Sequence, residues 1–188
     1  ETFEPGSILK VFSGLAALDH GVVDPDSTVN GNSPIVLHGH PINNAQYRDY
    51  GKVPFSEVIK HSINTGIIRV AQDLGERNLY NFLTKVGFGR KTGIELPGEE
   101  AGQFKHYSEW SGLSIGTIPI GQGLSVTGIQ LAAKMATVAN GGNLVKPTLI
   151  EKVESLESKT LSSLNDRTTV AGPIASEDTV SEMKKMLR

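Results

Sequence analysis

Glu4-Pro5-Gly6-Ser7-Ile8-Leu9-Lys10-Val11-Phe12 opens the first strong element of this chain. After the turn at Pro5-Gly6, Ile8, Val11, Phe12, Leu15 and Leu18 recur at helical spacing until Gly21 supplies a stop. The spacing predicts a core helix over 7–20. At its start Ser7 and Lys10 stand at i and i+3, on one face, so the lysine amine comes within hydrogen-bonding reach of the serine hydroxyl. A serine hydroxyl is a weak nucleophile at its free pKa. A lysine serves as its base when burial or nearby positive charge keeps a neutral fraction, and the helix N-terminus favours a developing oxyanion. Taken alone, Ser-x-x-Lys is common, and a serine that caps the helix beside a lysine that snorkels is its more frequent meaning.

Outward from that helix, Pro25, Gly31, Pro34, Gly39, Pro41 and Gly51 mark loops with a small hairpin around Ile35-Val36-Leu37. From Ser56, Val58, Ile59 and Ile63 lead into Asn64-Thr65-Gly66, after which Ile67, Ile68, Val70, Ala71 and Leu74 form an amphipathic run ended by Gly75. This predicts two helical pieces around a polar knot. Leu79, Phe82, Leu83 and Val86 predict a further helix ending at Gly87-Phe88-Gly89, and a loop-rich stretch follows from Arg90 to Leu124. Thr127 with Gln130 makes a capping box for a small-residue helix reaching Ala139, whose alanines and Gly128 suit close packing. Residues 144–154 are a strand candidate that Pro147 places at an edge, and 155–166 are an expected exposed turn. From Glu177 to Arg188 a last helix has Val180, Met183 and Leu187 on one face. Helix outweighs strand, so the expected class is mainly α with minor β.

Composition narrows the function classes. The 188 residues are 38% hydrophobic and 20% charged with a net charge of −2, which fits one globular domain or a piece of one and excludes a disordered polypeptide. Without a basic block, nucleic acid is an unfavoured partner. Cysteine is absent, so neither disulfides nor thiolate metal sites arise. No apolar run approaches the ~18 residues of a membrane span. The start Glu1-Thr2-Phe3 is neither an initiator methionine nor a signal peptide, and both ends are expected to lie inside a domain, 1–188 being a partial domain truncated at each end. No internal repeat is present.

The second chemical motif is His61-Ser62-Ile63-Asn64-Thr65-Gly66. A hydroxyl and a carboxamide at a helix junction can pass a proton and grip a peptide carbonyl, although either residue alone is more often a cap. Together with Glu4 to Phe12, this motif resembles the first two active-site motifs of the penicillin-binding proteins, the serine D,D-transpeptidases of bacterial cell walls. Gly87-Phe88-Gly89, Thr92 to Glu99, Ile120-Gly121-Gln122-Gly123 through Thr127, and Ala139-Asn140-Gly141-Gly142 extend the resemblance over most of 1–150, and it is most similar to the class B branch.

The resemblance implies the helical part of that family's α/β, β-lactamase-like transpeptidase fold, with most of its five-stranded sheet missing from these residues. It implies Ser7, Lys10 and Ser62 as catalytic residues and Asn64 as substrate-binding. No cofactor or metal is expected. The implied reaction is peptidoglycan cross-linking through a serine acyl-enzyme, with stem peptides as substrates, β-lactams as acylating mimics and other cell-wall synthesis proteins as partners. The implied place is the bacterial cell membrane, with the domain on its outer face. Within the family a D,D-carboxypeptidase or a β-lactamase uses similar motifs with water as acceptor, and a non-catalytic β-lactam sensor on the same scaffold is the alternative from another class.

Lys91-Thr92-Gly93 imitates the family's third motif, Lys-Thr/Ser-Gly on a strand. It follows Ser62 too closely and belongs to a glycine- and proline-rich loop, so it is set aside, and the true motif is expected beyond Arg188. Lacking it, the segment is expected to be inactive alone and prone to associate through open sheet edges. His38-Gly39-His40 lies in a Gly/Pro loop without a carboxylate cluster and is not taken as a metal site.

Overall fold

The computed structural model describes residues 1–150, 152–154, 160–163 and 169–188. A 3-10 turn over Gly6–Ile8 runs directly into α1 (Leu9–Asp19), in which Leu9, Phe12, Leu15, Ala16 and Ala17 have no exposed surface. The core helix expected over 7–20 is present, with Lys10 and Ser13 buried alongside its apolar residues, while Ile8 is exposed. The reason is position. Three elements from the middle of the chain and one from its end surround α1: α2 (Phe55–Lys60), α3 (Asn64–Leu74), α4 (Glu76–Val86) and α7 (Glu177–Met186). Gly14 admits two of them, because a Cβ there would lie 2.8 Å from Ile59 Cδ1 on α2 and 2.9 Å from Met183 Cε on α7. Each Leu or Phe buried in this way contributes roughly 1.5–3 kcal/mol over leaving it exposed.

The polar knot between α2 and α3 is a helix stop followed at once by a helix start. Gly75 separates α3 from α4, and Gly87, at φ +96°, ends α4 in the left-handed conformation that glycine adopts without a Cβ penalty. The stretch 90–124 holds only short helical pieces, namely α5 (Ser114–Thr117) and 3-10 turns over Tyr107–Glu109 and Ile118–Ile120. In α6 (Gly128–Ala139) the capping box forms as the spacing predicts. Of its small residues only Ala133 packs: Ala132, Ala136 and Ala139 are exposed and a Cβ on Gly128 would touch nothing, while Leu131, Ala133, Lys134, Thr137 and Val138 make the buried face.

Strands are short and paired two by two. β1 (Thr28–Asn30) pairs with β4 (Lys52–Pro54), and β2 (Ile35–Leu37) with β3 (His40–Ile42). His38 and Gly39 close the second hairpin at φ +46° and +81°, as a two-residue I′ turn requires, so the His-Gly-His tripeptide is turn chemistry. β5 (Asn143–Val145) pairs with β8 (Thr169–Pro173), and β6 (Lys152–Glu154) with β7 (Thr160–Ser163). All four pairs are antiparallel, and no sheet among the described residues exceeds two strands. The predicted single strand over 144–154 is therefore two, interrupted around Pro147. Part of the turn expected over 155–166 is a strand, Thr160–Ser163, and the rest of that expectation lies outside the described residues.

Candidate active site

Ser7 is exposed in the turn that begins α1, and Lys10, one turn on, is 4% exposed. The Lys10 ammonium donates to Ser7 Oγ at 3.1 Å, to Ser62 Oγ at 2.8 Å and to the Ser62 carbonyl at 2.6 Å. Its three N–H groups are thus all committed to the two serines. Burial lowers the Lys10 pKa from 10.5 to about 8. No neighbouring cation is needed, because the closed packing around α1 does the work. The arrangement can move a proton between two hydroxyls by way of one amine whose neutral form is accessible near neutral pH.

Ser62 reaches Lys10 because of how α2 stops. Its N–H bonds to the Ile59 carbonyl at 3.0 Å and the next N–H, of Ile63, bonds back to Val58 at 2.9 Å. This is a Schellman ending with Val58 and Ile63 both buried. Its left-handed position, φ +54°, is one where glycine is usual, and here it holds serine. A non-glycine residue there costs of order 1–3 kcal/mol. The hydroxyl so aimed is the one bonded to Lys10.

Asn64, two residues on, is not joined to these three: its amide donates to the Asn43 carbonyl at 2.8 Å. The structure thus brings Ser7, Lys10 and Ser62 into direct contact and ties Asn64 to the loop before β4. Among the described residues there is no cluster of three or more His, Asp or Glu side chains able to hold a metal ion.

Sequence reasoning missed two supports. One is Asn44, buried at 4% exposure, which accepts from the Thr65 N–H at 3.0 Å and donates to the Gly31 and Arg48 carbonyls at 2.8 Å each. It pins the start of α3, and so the Ser62–Asn64 junction, to the hairpin loops. A lone asparagine in a loop carries no sequence signal for such a role. The other is a strap over 119–126. Gly6 N–H bonds to the Gly121 carbonyl at 3.0 Å, Glu4 accepts from Gly123 N–H at 2.8 Å, Ser13 donates to the Pro119 carbonyl at 3.1 Å, and Phe3 and Val126 exchange two bonds of 2.9 Å. Gly121, at φ +84°, lies against the Gly6 backbone, where a Cβ would collide with it. The glycines of Gly121-Gln122-Gly123 were the available signal, since they mark close backbone approach.

Lys91-Thr92-Gly93 lies in a loop, as its surroundings predict. Glu99 closes that loop, accepting from Thr92 N–H and Oγ1 at 2.6 Å each and from Gly93 N–H at 3.0 Å.

The chain thus combines this helical scaffold with a serine-lysine-serine contact where the first helix meets the α2–α3 junction. The family model "Penicillin binding protein transpeptidase domain" matches residues 1–188, and the chain belongs to that family. It is 32% identical over 192 residues to penicillin-binding protein PbpB of Mycobacterium tuberculosis, covering 99% of this chain and 27% of that protein. It is 32% identical over 154 residues to peptidoglycan D,D-transpeptidase FtsI of Escherichia coli, covering 82% of this chain and 26% of that one. The chain thus spans about a quarter of the length of these curated relatives. Among solved structures it is similar to penicillin binding protein 3 of Mycobacterium tuberculosis, both apo and complexed with ampicillin, at TM-score 0.90 and 30% identity, covering 100% of this chain and 41% of that one.

Proposed function

We propose that this chain carries the nucleophile half of a peptidoglycan D,D-transpeptidase site. The observation that supports it is the single amine of Lys10 within hydrogen-bond distance of both Ser7 Oγ and Ser62 Oγ. In this reading neutral Lys10 takes the Ser7 proton as Ser7 Oγ attacks the carbonyl between the two D-alanines of a stem peptide. The C–N bond then breaks, Ser62 relays a proton to the departing D-alanine amine, and an ester to Ser7 remains. The amine of a second stem peptide attacks that ester, the new amide forms, and the proton returns to Ser7 through Lys10. Asn64 holds the peptide backbone from the rim.

A β-lactam mimics the D-Ala-D-Ala amide and stays esterified to Ser7, in keeping with the ampicillin and aztreonam complexes of the mycobacterial relative. Because peptidoglycan is assembled outside the bacterial membrane, we place the domain on the outer face of a membrane-anchored protein that works with other cell-wall synthesis proteins. No helix among the described residues is long and apolar enough to cross a membrane.

The test is covalent labelling with a fluorescent penicillin followed by peptide mapping, in the protein that contains this chain. Label on Ser7, lost in Ser7→Ala, is the expected result, and label elsewhere overturns the assignment. Release of D-alanine with an amine acceptor then marks a transpeptidase, release with water alone a carboxypeptidase, and acylation without turnover a sensor.

A further inference from the structure

A second hollow, of about 280 Å³, lies between the end of α4, the loop after it, α6 and β5, and none of Ser7, Lys10, Ser62 or Asn64 lines it. Five cationic side chains do, namely Lys85, Arg90, Lys91, Lys134 and Lys146, and no carboxylate is among its lining residues. Lys85, Arg90 and Lys91 are exposed, and the Lys146 stem lies over Gly93, whose added Cβ would be 3.3 Å from Lys146 Cε.

Lys134 is different in kind. It is 6% exposed, yet its ammonium makes no hydrogen bond or ion pair among the described residues. What it faces is the Phe88 ring, with the centroid 5.2 Å away, and Gly87, whose added Cβ would stand 3.2 Å from Nζ. Although the side chain is buried, Nζ itself keeps accessible surface and opens onto the hollow, leaving its three donors to water or to a bound acceptor. Burial lowers its pKa to about 8, with the charge of Glu99 pulling the other way. Glu99 reaches it only through its charge: the hydrogen bonds of that carboxylate come from Thr92 and Gly93. Lys91-Thr92-Gly93 thus has a place in the structure unconnected with any strand motif: its backbone and the Thr92 hydroxyl bind the Glu99 carboxylate while the Lys91 side chain lines the hollow.

We propose that this hollow is an oxyanion site, taking the carboxylate or phosphate group of a small ligand, with Lys134 as buried anchor and Lys91 and Lys146 at its rim. The volume suits a ligand near the small end of the usual range. A carboxylate or phosphate supplies the acceptors that Lys134 lacks, in charge-assisted bonds that a low-dielectric wall strengthens. The inference does not rest on the transpeptidase reading, and its test does not measure acylation.

The test titrates the chain with inorganic pyrophosphate in one arm and malonate in the other, at constant ionic strength, following thermal unfolding. At a hundredfold excess over Kd, at least one anion should raise the midpoint saturably by about 5 °C. Affinity should fall tenfold or more in Lys134→Met and about threefold in Lys91→Gln. Response to pyrophosphate alone assigns a phosphate ligand, response to malonate alone a carboxylate, and response to both a general oxyanion site. Absence of a saturable shift, or one unchanged in a folded Lys134→Met, overturns the proposal. Should that variant not fold, acetylation of Lys134 in the unmodified chain decides: the bound anion must slow it severalfold, and equal rates with and without anion overturn the site.

Discussion

Lys10 owes its chemistry to its surroundings: on an exposed helix face it would stay an ammonium through neutral pH, and in the closed packing around α1 its pKa drops from 10.5 to about 8. If the neutral amine is the base, the rate of β-lactam acylation should rise with pH and level off above about 8. Stopped-flow labelling from pH 6 to 9.5 checks this, and a flat profile would remove Lys10 as the base. Stability carries the same signature with a definite sign. Between about 8 and 10.5 the unfolded chain holds the Lys10 proton that the native chain has released, so stability climbs with pH across that window and the burial cost is felt in full below it. Lys10→Met should flatten part of that climb in urea titrations. Ser62 shows the converse trade, a strained backbone kept for a hydroxyl. Ser62→Gly and Ser62→Ala both lose the hydroxyl bonded to Lys10, but only alanine keeps the left-handed penalty. Ser62→Gly should unfold about 1 kcal/mol above Ser62→Ala while both acylate at least tenfold more slowly than wild type, and equal stabilities would show that the backbone there is unstrained.

Elements matter here by where they stop. α2 ends in a Schellman turn that aims Ser62, α4 ends at Gly87 beside the cationic hollow, and α6 begins at the Thr127–Gln130 box. Gln130 does more than cap, since its amide also donates to the Arg90 and Ala101 carbonyls at 2.7 and 2.8 Å and thereby stitches the long loop to α6. Gln130→Ala should cost about 2–4 kcal/mol in chemical denaturation, because the Thr127 N–H loses its Gln130 Oε1 acceptor and two carbonyls are left without their donor. A loss under 1 kcal/mol would mean that water takes over those carbonyls. The helices and their stops were legible because periodicity, glycine and capping residues are local signals. The all-round burial of α1 and the idle alanines of α6 were not, since they depend on which neighbours arrive. Ser7 and Lys10 meet through helical geometry and could be paired from spacing, whereas Asn44 and the 119–126 strap support them through contacts that no spacing encodes.

At the scale of the whole chain, no strand among the described residues carries a Lys-Thr/Ser-Gly triplet, and the Lys-Thr-Gly present is a loop folded on Glu99. The resemblance implies that the oxyanion hole takes its second N–H from such a strand, and one missing donor costs on the order of 3 kcal/mol of transition-state stabilisation. The 188 residues on their own should therefore label with fluorescent penicillin at least a hundredfold more slowly than the protein that contains them, and rapid stoichiometric labelling would show that the nucleophile half suffices. Two-stranded sheets such as β5–β8 also leave outer edges without partners among the described residues, so sedimentation of the isolated chain should reveal concentration-dependent association. What the sequence determined by itself was local: the helical class, the helix ends, a small hairpin around Ile35-Val36-Leu37, and the reach of Lys10 to Ser7, because each depends on residues a few positions apart. Only the tertiary structure decided that Ser62 completes the contact from across the core, that burial shifts Lys10 and Lys134, and that Gly121 lies on Gly6. Those facts arise from distant segments excluding water together, and desolvation is a property of the packed whole, which no local pattern contains.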